Sequence, residues 1–365
     1  MTVRGIAEKA GVSIGTVDRV IHNRGRVSPE TRDKILAIIA ESGYTPNPIA
    51  RHLKLNKKHT FAVIMPAPYE DSSYWQVACA GMQKAQKELA AFGVGIKKFE
   101  FNRYRRQSFA KVMTSFNPAS FSGLLMAPVL PEESSALLAT LPKDYPVVFF
   151  DAQLPNYKPL CYIGQNAFQS GVIAGRLLEA FSRRQGPYVI VSTHSEDFHI
   201  QKRIEGFRSY FSTKNYTIEI REGFDIEHKE QCEALVRRIT MEFPNMDGIF
   251  VTNASAHGIA SAINTRPGRD HVTVVGYDLV HNNISELQKG TIDCILSQRQ
   301  DLQGYRGIYQ LYSKIVLGQE VDSTIEMPID IYLKENIMQE PFVEFENSIA
   351  APNGTSPAGL ERIAQ

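Results

Sequence analysis

Residues 2–20 constrain this chain more than any other stretch, because two short amphipathic segments are joined there through Ala10-Gly11-Val12-Ser13. Ile6, Ala7 and Ala10 fall on one face of a first helix, Gly11 supplies the left-handed residue that ends it, and Val12 plugs the turn. Ser13 caps a second helix, on which Val17, Val20 and Ile21 keep the spacing of a buried stripe. Ile14, Gly15, Asp18 and Arg19 are thereby left on outer faces. A third helix is expected from Ser28 as cap, Pro29 at the first helical position and Glu30 in the positive first turn. It carries Ile35, Ile38 and Ile39 inward until Gly43 stops it. The pattern predicts a helix-turn-helix module whose second helix can enter a DNA major groove. The plainer alternative is a three-helix cap with no part in DNA binding.

The spacing Ile6-Ala7-x-x-Ala10-Gly11-Val12-Ser13-x-x-Thr16-Val17-x-Arg19-Val20 continues through Val27-Ser28-x-x-Thr31-Arg32-x-Lys34-Ile35 and Gly43-Tyr44-x-Pro46-Asn47-x-x-Ala50-Arg51-x-Leu53. This run resembles the headpiece of the lactose-repressor/galactose-repressor (LacI/GalR) family of bacterial transcription regulators. Candidate DNA contacts are Thr2, Ser13, Ile14, Gly15, Thr16, Asp18, Arg19, His22, Arg26, Thr31, Tyr44, Asn47, Ala50, Leu53 and Lys57. The resemblance further implies that the linker over 46–60 folds into a hinge helix only when a dimer sits on operator DNA, with Leu53 wedged into a minor-groove step. Apolar wedges of that kind unstack a step and bend the duplex. A flexible tether is the alternative reading of the same two-proline segment. Asp18 stands where most relatives carry serine. Its carboxylate can accept a hydrogen bond from a cytosine amino group or pair with Arg19 or Arg24 at the surface.

Charge is distributed in keeping with that module. Residues 1–58 hold 11 Lys/Arg against 5 Asp/Glu, a balance of +6, whereas the remaining residues hold 29 against 34, a balance of −5. A polyanion is attracted to the first part and repelled by the rest. A length of 365 residues implies two or three domains with sizeable cores. No apolar run approaches the ~18 residues of a membrane span, and no apolar signal-peptide core opens the chain, so a cytoplasmic protein with no membrane partner is expected. Cys79, Cys161, Cys232 and Cys294 lie far apart with no C-x-x-C pair, which favours buried thiols over disulfides or a zinc site. No metal and no cofactor is expected.

From Phe61 onward strands and helices alternate. Phe61-Ala62-Val63-Ile64-Met65 ends at Pro66, residues 74–92 have helical periodicity, and Val94 to Phe99 reads as a strand. A helix near 106–116, Gly123-Leu124-Leu125-Met126 and Val147-Val148-Phe149-Phe150-Asp151 complete a first set. A second set is expected after Asp151, with strands at Tyr188-Val189-Ile190-Val191, Thr217-Ile218-Glu219-Ile220, Gly248-Ile249-Phe250-Val251 and Val272-Thr273-Val274-Val275-Gly276. Such alternation implies parallel sheets covered on both faces. The expected organisation is an all-α headpiece over 1–45, a linker over 46–60, a two-lobed α/β domain over 61–340 and a polar, poorly ordered tail over 341–365.

Ligands bind beyond the carboxyl ends of parallel strands. Those ends place Pro66 with Tyr74 and Trp75, then Ala127-Pro128, Asp151, residues 194–199 with Phe198, Asn253 and Asp278. Tyr74 and Trp75 are expected to form a flat apolar wall for the C–H face of a sugar. Taken singly, each residue also reads as a strand-end cap or a core aromatic. Val147 to Asp151, Lys202-Arg203-x-x-Gly206-Phe207, Gly276-Tyr277-Asp278 and Thr291-Ile292-x-x-Ile295-x-x-Gln298 resemble landmarks of the same family's sugar-binding domain, whose fold is that of periplasmic binding proteins. By that resemblance Asp151, Arg203, Asn253, Asp278 and Gln298 line an effector cleft, and an arginine suits adjacent hydroxyls or a carboxylate. Asn166 stands where an aspartate is frequent and Ala254 where an acidic residue is usual. Both departures remove negative charge, so the effector is expected to be a sugar, a polyol or an acidic sugar. A homodimer on a pseudo-palindromic operator follows from one headpiece covering one half-site. The competing readings are a sugar receptor and an α/β enzyme acting on a carbohydrate. Nucleotide-loop and H-E-x-x-H motifs are absent, and Ser192, His194, Ser195, Asp197 and His199 are neighbours on one loop, which rarely converge as a triad.

Overall fold

The computed structural model describes residues 1–21, 24–42, 58–184, 186–193, 197–214, 218–222, 229–264 and 270–337. The headpiece comprises α1 (Val3–Ala10), α2 (Ile14–Ile21) and α3 (Pro29–Ser42). Thr2 caps α1 by accepting the Gly5 N–H, and Gly11, at φ 71°, closes it with its N–H on the carbonyls of Ala7 and Glu8. Ser13 Oγ accepts the Thr16 N–H at 3.1 Å and so starts α2 in a new direction. Ile6, Ala7, Ala10, Val17, Val20, Ile35 and Ile38 are buried together, with Val12, Ile21 and Ile39 packed at their edge. Burying apolar area of this kind contributes about 25 cal/mol per Å².

The first lobe opens with β1 (His59–Pro66), α4 (Glu70–Leu89), β2 (Val94–Phe101), α5 (Phe109–Ser115), β3 (Gly123–Met126), α6 (Pro131–Leu138), β4 (Val147–Phe150) and β5 (Cys161–Gln165). The second holds α7 (Ala167–Phe181), β6 (Tyr188–Ser192), α8 (Phe198–Phe211), β7 (Ile218–Glu222), α9 (Lys229–Glu242), β8 (Gly248–Val251), α10 (Ala256–Asn264), β9 (Thr273–Tyr277), α11 (His281–Lys289) and β10 (Cys294–Ser297). The chain then returns to the first lobe with α12 (Gln300–Ile315) and β11 (Thr324–Met327), and adds β12 (Asp330–Tyr332) to the second.

The two sheets run β11-β5-β4-β3-β1-β2 and β12-β10-β9-β8-β6-β7. All pairs are parallel except β10 with β12. Within each lobe the order 2-1-3-4-5 is that of a doubly wound sheet, which opens a crevice beyond its carboxyl edge. Residues 61–66 are buried throughout, as a strand covered by helices on both sides requires. Helices pack closely where glycine allows it: a side chain on Gly81 of α4 would strike the Asp301 carbonyl, and one on Gly206 of α8 the Phe168 carbonyl.

The second set begins at Tyr188 as expected, but a strand that the expectation does not include, β5, lies between the sets, pairs with β4 and belongs to the first sheet. Cys161-Tyr162-Ile163 is a short apolar run that could join either sheet, and only pairing partners decide between them. The chain thus crosses between lobes three times, at 165–167, 297–300 and 327–330.

Candidate ligand cleft and DNA-binding face

The cleft is built from strand ends. β4 and β9 are each followed at once by an aspartate in the left-handed conformation, Asp151 at φ 65° and Asp278 at φ 66°. Aspartate is among the few residues that adopt this conformation readily. The two carboxylates occupy matching places in the two lobes, since Asp151 N–H bonds Ile163 O on β5 and Asp278 N–H bonds Leu296 O on β10. Tyr74 Oη donates to Asp151 Oδ1 at 2.5 Å. Gln298, between the lobes, donates through Nε2 to Asp278 Oδ2 at 3.4 Å. Arg203 enters from α8, 2% exposed, donating to Thr252 O at 2.8 Å and to Gln298 Oε1 at 3.1 Å. Its guanidinium lies 3.8 Å from the centre of the Tyr277 ring, a cation–π contact. Asn253 Nδ2 donates to Thr193 Oγ1 at 2.6 Å.

Burial dominates the electrostatics. It pushes the Asp151 carboxyl up to about 6 and that of Asp278 up to about 7, in spite of the opposing charge of Arg203. Burial opposes the charge of Arg203 too, but Tyr277, Asp278 and Asp151 outweigh it and raise its pKa. Asp278 Oδ1 and Arg203 Nε are buried with no hydrogen-bond partner among the described residues. Unpaired buried polar atoms cost about 1–3 kcal/mol each, which a hydroxyl-bearing ligand would recover.

Around these groups lies a cavity of about 30 Å³, lined by residues of both lobes that include Tyr74, Trp75, Asp151, Arg203, Asn253, Asp278 and Gln298. Phe198 is the exception among the expected cleft residues. As the first residue of α8 it lies between Asp197 and His199, which line the cleft, and it faces a different cavity. Nor do Tyr74 and Trp75 make a flat wall. Their rings meet edge to face at 88°, and Trp75, 1% exposed, packs edge-on against Phe150 while its indole N–H donates to Asp71 Oδ2 at 2.8 Å.

Asp71 and Arg103, which the expected cleft set does not include, also line the cavity, together with Asp197 and His199 of the expected stretch 194–199. Arg103 follows β2 and bridges the lobes, donating to Asp71 Oδ2 at 2.7 Å and to Asp197 Oδ2 at 2.6 Å. Tyr104 Oη donates to Asp71 Oδ1 at 2.7 Å, and Glu70 Oε2 accepts the Arg103 N–H at 2.9 Å. Asp71 and Asp197 raise the pKa of Arg103 further, against the opposing effect of burial. The strand-end rule would have found Arg103 had β2 been followed to Phe101 instead of Phe99. Asp71 could have been found in the loop between Pro66 and Tyr74.

On the headpiece, Gly15, Asp18 and Arg19 are exposed and Ile14 is 49% exposed, so α2 presents this face outward. Thr16 is half-buried and Arg26 exposed. Thr2 and Ser13 serve as helix caps, and Thr31 Oγ1 accepts from Ser28 Oγ at 2.7 Å. His22, Tyr44, Asn47, Ala50, Leu53, Lys57, His194 and Ser195 lie outside the described residues, as do most of the linker and the tail over 341–365.

A helix-turn-helix followed by two doubly wound lobes enclosing a polar cleft defines a ligand-responsive DNA-binding regulator. Comparison with known proteins agrees: residues 2–47 match the model for bacterial regulatory proteins of the lacI family, and residues 61–320 match a periplasmic binding protein domain. The chain belongs to the LacI family of bacterial transcription regulators, with a periplasmic-binding-protein domain behind its DNA-binding headpiece. It is 27% identical over 344 residues to the HTH-type transcriptional repressor PurR of Histophilus somni (strain 129Pt), covering 92% of this chain and 98% of that one. The ribose operon repressor of Bacillus subtilis (strain 168) is 22% identical over 285 residues, 76% of this chain and 81% of its own length. A crystal structure from Bacteroides fragilis assigned to the LacI transcriptional regulators superposes with a TM-score of 0.69 at 25% identity, covering 77% of this chain and 98% of that one.

Proposed function

We propose that this regulator acts as a homodimer on a pseudo-palindromic operator and that a neutral, polyhydroxylated effector, a sugar or polyol, controls its affinity for that site. The observation that carries the effector reading is the meeting of Asp151 and Asp278 from opposite lobes beside Arg203, Asn253 and Gln298. Ionised carboxylates accept hydrogen bonds from hydroxyls, and amide and guanidinium groups donate to them. The loss of charge at Asn166 and Ala254 leaves room for an acidic sugar beside a neutral sugar or polyol, but Asp71 and Asp197 add two carboxylates to the cleft. Four carboxylates face two guanidinium groups there, which disfavours a further anion.

The outward face of α2, with Ile14, Gly15, Asp18 and Arg19 exposed and Thr16 half-buried beside them, supports the reading of Ser13 to Arg19 as the base-contacting segment, flanked by Thr2, Arg26 and Thr31. The protein binds its ligand without altering it. Among the described residues no helix is long and apolar enough to cross a membrane.

The test is a thermal-shift screen of monosaccharides, polyols and uronic acids, followed by operator binding with each hit. A ligand at 100 times its dissociation constant adds about 2.7 kcal/mol of stability. Neutral sugars or polyols should stabilise the chain and change its operator affinity, uronic acids should do neither, and the recovered ligand should be unchanged. Asp278→Ala and Arg203→Ala should abolish the response while operator binding persists. A wild-type response in both variants would overturn the cleft assignment.

A further inference from the structure

A second void beside the cleft lies on the hinge side. It measures about 270 Å³ and is walled by β5 and β11 of the first lobe and by the amino-terminal ends of α7 and α8 of the second. Phe168, 40% exposed, and half-buried Phe198 contribute rings, while Lys202, Thr324 and Glu326 contribute polar groups. The volume is close to the lower bound of about 300 Å³ for small-molecule sites. Only His199 lines both this cavity and the cleft, so the two are separate chambers.

Gln165 is the unusual residue of this cavity. It is 6% exposed, and its Nε2 donates to Ser297 O at 3.1 Å and to Pro328 O at 2.9 Å. One side chain from the first crossover thus holds the second and third. Its Oε1 is buried with no hydrogen-bond partner among the described residues. An amide oxygen left unpaired in this way is costly unless a donor reaches it.

We propose that this cavity is a second small-molecule site, taking a neutral, single-ring hydroxylated compound distinct from whatever occupies the cleft. Aromatic rings suit the C–H face of such a ring, and Gln165 Oε1 calls for a hydroxyl donor. Lys202 is already paired with Glu205 Oε2 at 2.6 Å and Glu326 is exposed to solvent, so the wall offers a ligand no unpaired buried charge. A compound seated here touches β5 and β11 on one side and α8 on the other, across the crossovers that any lobe movement must bend. Its binding is therefore coupled to opening of the cleft by whatever difference in affinity the open and closed forms present.

The inference goes beyond the cleft reading and is tested apart from it. Phe168 is replaced by 4-trifluoromethylphenylalanine in the full chain, and the fluorine resonance is followed as D-glucose, D-galactose, D-ribose and myo-inositol are titrated to millimolar concentrations. At least one should shift the signal saturably in the otherwise native chain and equally in the cleft variant Asp278→Asn. Lys202→Ala, at a partly exposed position, should weaken that binding about tenfold without lowering the melting temperature. No saturable shift with any of the four probes, or a shift that disappears in Asp278→Asn, would overturn the proposal. An affinity unchanged by Lys202→Ala would also overturn it. If instead the cleft binds no sugar, the fluorine titration still reads the hinge cavity alone.

Discussion

Asp278 and Asp151 show how one residue can carry both a cost and a use. Burial raises their carboxyls to about 7 and about 6, so the folded protein holds protons there that the unfolded chain has released. The linkage follows in sign: stability from this source is fully present below the ordinary value of 3.8 and is lost as pH rises through about 7. Asp278→Asn should therefore flatten the stability profile from about pH 4 to about pH 8, as measured by urea unfolding at each pH. Parallel profiles for the two proteins would show that Asp278 titrates normally. An effector whose hydroxyls bind the ionised forms should correspondingly release protons near neutrality. Calorimetry in buffers of different ionisation enthalpy reads that release.

At the scale of elements, the turn that begins α4 and the segment after β2 act together. Asp71, Ser72 and Ser73 all have positive φ, at 51°, 58° and 68°, a conformation L-residues adopt at a cost. The turn is held by the bonds from Trp75, Tyr104 and Arg103 to the Asp71 carboxylate. Arg103 then reaches Asp197 at the start of α8, with both side chains of this ion pair 7% exposed or less. Without Arg103, closing the lobes would bring two buried carboxylates together. Breaking a buried pair by removing one partner costs about 3–5 kcal/mol. Arg103→Gln should destabilise the closed arrangement by that order and enlarge the radius of gyration seen by X-ray scattering. Adding Asp197→Asn should recover part of the loss, and a double variant no more compact than the single one would argue against a tie between the lobes.

For the whole molecule, charge separates two tasks. The positive balance of residues 1–58 draws the headpiece to DNA, while the negative balance of the remainder keeps the sensor off it. A dimer doubles the contact. A pseudo-palindromic operator should therefore bind much more tightly than its isolated half-site in fluorescence anisotropy, and equal affinity would sink the homodimer reading. In the same assay Leu53→Ala should weaken operator binding far more than binding to unrelated DNA, because only a bent operator uses a wedge.

Helix boundaries in the headpiece were legible in the amino-acid order because they depend on neighbours: Thr2, Gly11, Ser13, Ser28 and Pro29 act within one turn of where they stand. The alternation of apolar runs likewise determined two parallel sheets, since strands buried on both faces have one chemical signature. Asp151, Asn253 and Asp278 could be picked out for the same reason, each standing at the end of such a run. Tertiary structure alone decided which sheet β5 joins, because a short apolar strand fits either. It also decided that Phe198 turns away from the cleft while His199 faces it. The bond from Arg103 to Asp197 spans 94 positions. Pairings of that range leave no periodic trace, because they depend on how two lobes close and not on local spacing.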